Sequence, residues 1–197
     1  MNFLDITSFI ESVSGMLPLG ANPSTIPVIN NNDMSIARLI LGKTYPDDNL
    51  DKIEIRDVDS EENYFGMYRR YRDNQVIIAI STTRTCWKRF LITKELCHIF
   101  VDQNAKTLTT NIEALVSDIV SKRLVININT NTQPIPGEYL TILFACELLV
   151  PYKFNSLLLT KEISYSIAEQ FKVPEQMIDL MRTKWYQELR TTSYTTS

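Results

Sequence analysis

The stretch Arg89–Phe100 reads RFLITKELCHIF and carries the most informative residues of the chain. The apolar residues around it recur at helical spacing and predict one helix from Trp87 to Val101. The run Lys94-Glu95-Leu96-Cys97-His98 lies inside this helix. Because Lys94 and His98 are four residues apart, they share one helix face, which is therefore the first candidate site.

The spacing of these residues is related to a metal-binding pattern. Two histidines four residues apart on a helix bind zinc in many peptidases, and a glutamate beside the first histidine activates the metal-bound water. Here Glu95 and His98 match the pattern, whereas Lys94 stands where the first histidine belongs. Taken alone, a glutamate three residues before a histidine usually means a solvated or hydrogen-bonded pair. The fragment therefore needs support from elsewhere in the chain.

A second block supplies that support. Residues Glu138–Pro151 read EYLTILFACELLVP, which predicts an apolar helix from Glu138 to Val150 that stops at the proline. Together the two blocks resemble the ImmA/IrrE family of zinc metallopeptidases. In that family a RFTLAHELGH-like helix is followed by an E-x-x-A-N-x-F-A-x-x-L-L-M-P-like helix. The chain departs from the second pattern at Thr141 and Ile142, where the family tends to have Ala and Asn.

The resemblance covers about Lys52 to Trp185. A β-rich run, QVIIAIS (Gln75–Ser81), precedes the first helix as the family pattern requires. Near the C-terminus, SIAEQFKVPEQMIDLMRTKW (Ser166–Trp185) is similar to the family's trailing helical segment. The segment between His98 and Glu138 is longer than the corresponding segment of the family. The resemblance therefore implies a zincin-like core followed by helices.

The resemblance also implies roles for individual residues. Glu95 falls on the general base, His98 on the second metal ligand and Glu138 on the third, acidic ligand. Lys94 falls on the first ligand position. Zinc is the cofactor that a working site of this kind takes. Active members of the family sit beside phage-type or mobile-element regulators and act on a repressor.

The lysine argues against a working site. A charged ammonium has three donors and no lone pair, so it does not bind zinc. His98 is the single histidine of the chain, and Cys97 lies about 100° around the helix from it. We expect Lys94 to pair with Glu138, shared with Glu95, which keeps the carboxylates charged without a metal. No cofactor is then expected, and zinc is expected only if the site is functional.

Each candidate also has a purely structural interpretation. Glu95 and His98 are then a vestigial hydrogen bond, and Glu138 is a helix N-terminal residue favoured by the macrodipole. Cys97 and Cys146 are then small core residues. The aromatic residues before the first helix are then packing groups of the sheet rather than a binding platform; they are Tyr64, Phe65, Tyr68 and Tyr71.

The predicted fold class is α+β, with a small antiparallel sheet packed on the two motif helices and a C-terminal helical pair. We divide the chain into four predicted regions. Residues 1–46 form an N-terminal helical region and residues 47–153 the zincin-like core. Residues 154–190 form a helix-turn-helix-like pair, and residues 191–197 are a disordered tail. Further helices are predicted over 3–17, 34–41 and 111–123. In the C-terminal pair, helices over 161–171 and from 174 to about 189 are joined by a tight turn that Val173 fills. The residues predicted to face inward are Ile167, Ala168, Phe171, Met177, Ile178 and Met181. Residues 124–133 are either a strand pair or a long loop.

The composition argues against several classes of protein. The chain has 197 residues and a formal charge of −3, so no broad basic field favours nucleic acid. Three cysteines without paired spacing argue against a disulfide framework and predict thiols in a reducing compartment. No run approaches the roughly 18 apolar residues of a membrane span, and the N-terminus is a poor signal peptide. We therefore expect a soluble, cytoplasmic protein with no membrane partner.

Three functions compete. The first is a catalytically impaired relative that binds a protein partner, such as a repressor, toxin or other regulator, in the former substrate cleft. The second is an active zinc-dependent endopeptidase that uses His98, Glu138 and an unexpected third ligand. The third is a DNA-associated regulator. For that role the last helices offer Arg182, Lys184 and Arg190 to phosphates, while acidic residues near the reading end argue against it.

Overall fold

The strands form one mixed four-stranded sheet. The computed structural model describes residues 53–58, 65–71, 75–101, 106–109, 116–117 and 137–195. The strands are β1 (Ile53–Asp57), β2 (Phe65–Arg70), β3 (Val76–Ser81) and β4 (Lys106–Thr109). Their spatial order is β1-β3-β2-β4. The central strand β3 is buried from Val76 to Ile80, as its continuous apolar run predicts.

The sheet is not antiparallel throughout, and on this point the sequence prediction was wrong. β1 runs parallel to β3, with Ile53 opposite Val76, whereas β2 is antiparallel to both β3 and β4. β1 and β2 follow each other in the chain but lie on opposite sides of β3. Alternation of apolar residues defines the faces of a strand, not its direction, so the pattern did not reveal this arrangement.

Two buried helices pack together and carry the candidate site. Helix α1 (Thr85–Val101) packs on β2 and β3 and against α2 (Gly137–Leu149). Both predicted motif helices are confirmed to within two residues at each end. Every residue from Phe90 to His98 and from Leu140 to Leu149 is buried. Burial is expected of α2, which is apolar nearly all round, whereas the buried part of α1 includes the charged residues Lys94 and Glu95. Among the described helices, none combines the length and apolar character that crossing a membrane requires.

The chain then continues as short helices. A 3₁₀ turn (Tyr152–Phe154) leads to α3 (Asn155–Leu158), α4 (Ser164–Phe171), α5 (Glu175–Arg182) and α6 (Lys184–Thr195). The predicted single helix from Pro174 to about Leu189 is thus two helices, interrupted at Thr183, whose hydroxyl bonds to Leu180 O at 2.7 Å. The disordered tail expected from residue 191 is also corrected, because α6 runs to Thr195.

A tight turn joins α4 and α5, as predicted for the helix-turn-helix-like pair. Lys172 has a φ of 55° and ends α4 in the left-handed conformation. The amide of Val173 donates to Ala168 O at 2.9 Å and that of Lys172 to Glu169 O at 3.2 Å, which together form a Schellman motif. Its inward residues are buried as expected; they are Ile167, Ala168, Phe171, Val173, Met177, Ile178 and Met181.

Several sequence predictions lie outside the described residues. These are the N-terminal region 1–46 with its two helices, and the stretch 124–133. Of the helix predicted over 111–123, the structure describes Val116 and Ser117, and both are helical. Strand β4 follows α1 in a segment for which the sequence had predicted no strand.

Candidate functional site

The two motif helices bring all four predicted site residues into one cluster. Lys94 and His98 project from the same face of α1, and Glu95 lies beside them on the side of the sheet. Glu138 is in the first turn of α2. Because α1 and α2 are packed against each other, the glutamate from the second block meets the three residues of the first. We call Lys94, Glu95, His98 and Glu138 the lysine cluster.

The Lys94 ammonium is at the centre of the lysine cluster. Its Nζ lies 2.5 Å from Glu138 Oε2, 3.0 Å from Glu95 Oε1 and 3.1 Å from His98 Nε2. The predicted Lys94–Glu138 pair and its sharing with Glu95 are therefore confirmed. An ammonium has three donors, so each of them has an acceptor within hydrogen-bond distance.

The contact between Lys94 and His98 joins a lysine donor to a ring nitrogen. An ammonium carries donors and no lone pair. Nζ lies 3.1 Å from His98 Nε2, so in a hydrogen bond between them Nζ donates and Nε2 accepts, with the ring proton of a neutral imidazole on Nδ1. The Nε2 atom also lies 3.4 Å from Glu138 Oε1 and 3.8 Å from Glu95 Oε2. His98 thus presents to the ammonium the same nitrogen that histidine often presents to a metal.

Two residues of β2 shape the walls of the cluster, and neither is among the site residues predicted from the sequence. The Tyr68 ring stacks on the His98 ring, with centroids 6.1 Å apart and planes at 27°. A methyl group added at Gly66 would come 2.7 Å from Glu95 Oε1, so the glycine leaves room for that carboxylate. The sequence predicts Tyr68 only as a packing group of the sheet. Tyr68 and Gly66 are two residues apart in β2 and therefore lie on one face of the strand. The sequence does not indicate which helix residues that face contacts.

The cluster is buried except at one residue. The side chains of Lys94, Glu95 and His98 have no solvent exposure, whereas Glu138 is 34% exposed. Of the four, Glu138 is therefore the member that a molecule in solution reaches first. Glu95, the predicted general base, lies against β2 with no accessible surface.

The residues of the cluster do not fit a zinc ion. The ammonium lies within hydrogen-bond distance of both predicted ligands, His98 and Glu138, in the space that a metal would need. Cys97 lies about 100° around α1 from His98, away from the helix face that carries Lys94 and His98. Within the described part of the chain, no group of three or more His, Cys, Asp and Glu side chains is arranged to hold a metal.

A second buried ion pair holds the other end of α2. Arg190 of α6 donates from Nε to Glu147 Oε1 at 2.7 Å and from Nη2 to Glu147 Oε2 at 3.1 Å. The Tyr186 hydroxyl donates to Glu147 Oε1 at 2.9 Å. Burial, reinforced by the Glu147 carboxylate, raises the pKa of Tyr186 well above its usual range. Arg190 is one of the three cations that the sequence offers to phosphates in the disfavoured DNA-binding alternative, but its side chain is fully buried and does not reach a phosphate.

Arg182 is likewise used inside the protein. Its guanidinium donates to Leu158 O at 2.9 Å, Thr160 O at 3.1 Å and Glu162 O at 2.8 Å. It also donates to Ser164 Oγ at 3.1 Å, and so fixes the segment between α3 and α4. Two of the three cations proposed for DNA phosphates are therefore bonded to other groups. Lys184 is the exposed one of the three, and its side chain lies 3.6 Å from Glu188.

Comparison with known proteins gave no match to this chain, whether with protein-family models, with curated proteins or with solved structures.

Proposed function

We propose that the chain is a degenerate metallopeptidase-like protein of the ImmA/IrrE type that is catalytically impaired and binds a protein partner, of the regulator, repressor or toxin type, through the former substrate cleft. The observation that carries the proposal is the position of Lys94 Nζ between His98 Nε2 and Glu138 Oε2. The four residues of the motif pattern come together from two helices, but a lysine occupies their centre.

Impaired hydrolysis follows from this geometry. A zinc peptidase needs a metal-bound water and a carboxylate that takes its proton. Here the His98 and Glu138 acceptor atoms are bonded to the ammonium, and Glu95 Oε1 is bonded to it as well at 3.0 Å. Glu95 also has no accessible surface on which a water and a peptide bond would meet. The residues that would do the chemistry are engaged in a structural cluster.

If the site does not hydrolyse peptides, it can still bind a partner. The motif helices keep their packing, and Glu138 is the exposed member of the cluster. A partner that approaches the former cleft would therefore meet the start of α2 first. The DNA-binding alternative is weaker, because Arg182 and Arg190 make internal bonds.

The first test measures bound metal. We expect the tag-free natural protein to contain no stoichiometric zinc by native mass spectrometry, whereas Lys94→His, which restores the two-histidine spacing, takes up about one zinc per chain. Stoichiometric zinc in the natural protein would contradict the proposal and favour an active peptidase. Peptidase assays with and without a chelator, on both proteins, then separate binding of the metal from hydrolysis.

The second test looks for the partner. A photo-crosslinking phenylalanine analogue replaces Tyr139, next to Glu138, in cells that produce the protein. The matched control carries the same analogue at Tyr165, an exposed aromatic residue of α4. A discrete protein adduct at position 139 and not at 165 supports binding at the former cleft. Adducts at 165 alone would place the partner on the C-terminal helices instead.

A further inference from the structure

The lysine cluster contains one cation and acceptors from two different helices. Lys94, Glu95 and His98 belong to α1, and Glu138 belongs to α2. Three of these side chains have no solvent exposure. Charges in such a place are costly unless they are paired and hydrogen-bonded. The distances of 2.5, 3.0 and 3.1 Å from Nζ to its acceptors satisfy that requirement.

We infer that the Lys94 side chain takes the structural place of a metal in this fold: its Nζ contacts Glu138 of α2 as well as Glu95 and His98 of α1, and so ties the two helices together and orients His98 and Glu138 without any metal. Lys94 is thus a positioning residue in this role. This role of Lys94 affects stability and side-chain orientation, and it does not depend on a partner bound at Glu138.

The surroundings of the cluster are built for a charged group. Gly66 leaves space for the Glu95 carboxylate, since a methyl group there would lie 2.7 Å from Oε1. Tyr68 covers the His98 ring on the side of the sheet. Glu138 lies at the start of α2, where the helix dipole favours a negative charge. A neutral side chain at position 94 would leave two carboxylates facing each other around an uncharged centre.

A site held together by a lysine responds to a chelator differently from a site that needs a metal. Where zinc joins two helices, removal of the metal loosens the contact, because the ligands then lose their common partner. A covalently attached ammonium is not removed by a chelator. The contact between α1 and α2 should therefore be as stable in a chelating buffer as in a zinc-containing one.

Thermal unfolding tests the role of the cation. We expect the melting temperature of the natural protein to be unchanged, within about 1 °C, by zinc or by a chelator. Lys94→Met should lower it by roughly 10 °C, because the carboxylates lose their counter-charge. The matched control is Lys88→Met on the same helix, which removes an exposed pair with Asp57 at 2.6 Å. That control should cost less than about 3 °C.

A double variant tests the pairing itself. Lys94→Met combined with Glu138→Gln should melt above Lys94→Met alone, because the second change removes one uncompensated carboxylate. Additive losses in the double variant would overturn the inference, as would a Lys94→Met loss no larger than that of Lys88→Met. A natural protein whose melting temperature falls in chelator would also overturn it.

If Lys94→Met does not fold, the contact between Lys94 and His98 can be tested in the natural protein. His98 is the single histidine, so ¹⁵N labelling of histidine gives signals from this ring only. We expect a spectrum in which Nδ1 carries the proton and Nε2 does not, with Nε2 as the hydrogen-bond acceptor. A ring that carries a proton on Nε2, whether neutral or charged, would be incompatible with donation from Lys94 and would overturn the inference.

Discussion

Nζ of Lys94 lies 2.5 Å from Oε2 of Glu138, so one ion pair joins the middle of α1 to the first turn of α2. The last turn of α2 is held in the same way, through Glu147 and Arg190 of α6 at 2.7 Å. Between these two glutamates α2 is buried from Leu140 onward. The hydrophobic effect is non-directional, whereas an ion pair at each end adds two specific contacts that define the position of α2.

The glycine against Glu95 is the subject of the first prediction. Gly66→Ala should destabilise the protein by about 1–3 kcal/mol, because the new methyl group must displace the Glu95 carboxylate or the neighbouring Leu91 side chain. Chemical denaturation measures the loss. In a Glu95→Ala background the same substitution should cost less, since the nearest clashing atom is gone. An equal cost in both backgrounds would show that Glu95 is not the neighbour that matters.

The buried arginine gives a second prediction. Arg190→Met should cost about 3–5 kcal/mol, because it leaves the Glu147 carboxylate buried without its cation. Lys184→Met in the same helix is the control. Its side chain is 91% exposed, so its effect should stay within about 0.5 kcal/mol. Arg190→Met combined with Glu147→Gln should recover part of the stability, and failure to recover any would contradict the pairing.

The two buried thiols predict a pH dependence. Burial raises the pKa of both Cys97 and Cys146 above the ordinary thiol value of 9.0. The unfolded chain therefore releases these protons at lower pH than the native protein does. The thiols' contribution to stability is fully present below pH 9.0 and is lost as the pH rises from there towards their folded pKa values.

The slope of the free energy of unfolding measures this loss. Each thiol lowers that free energy by up to about 1.4 kcal/mol per pH unit above its unfolded pKa. Denaturant titrations between neutral and alkaline pH follow the change. Cys97→Ala and Cys146→Ala should each flatten the slope, whatever they do to the stability at neutral pH. An unchanged slope in the double variant would show that other groups cause it.

The left-handed residue that ends α4 gives the last prediction. Lys172 has a φ of 55°, a conformation that costs a residue with a side chain about 1–2 kcal/mol. Lys172→Gly should therefore raise the free energy of unfolding by up to about 1 kcal/mol. Lys172→Ala is the matched control and should bring no such gain, because alanine keeps the Cβ atom. Equal effects of the two substitutions would contradict the strain argument.

The motif helices and the helical pair were predictable from local patterns. Continuous apolar runs, the proline at 151 and the spacing around Val173 carry enough information to place helices over these segments. The Lys94–Glu138 pair was predictable too, because the resemblance placed two otherwise distant residues in one site. The helix break at Thr183 was not, since a single hydroxyl-to-carbonyl bond leaves no periodic mark on the sequence.

The remaining features depend on contacts between segments that are far apart in the chain. The direction of β1 relative to β3, the stacking of Tyr68 on His98 and the burial of Arg190 against Glu147 all arise from packing. A side chain's periodicity reveals which face it occupies but not which partner that face meets. The amino-acid order was therefore sufficient for the helices and the composition of the lysine cluster. Packing in three dimensions was needed to show that the ammonium is fully bonded, because hydrogen bonds and desolvation depend on atomic distances.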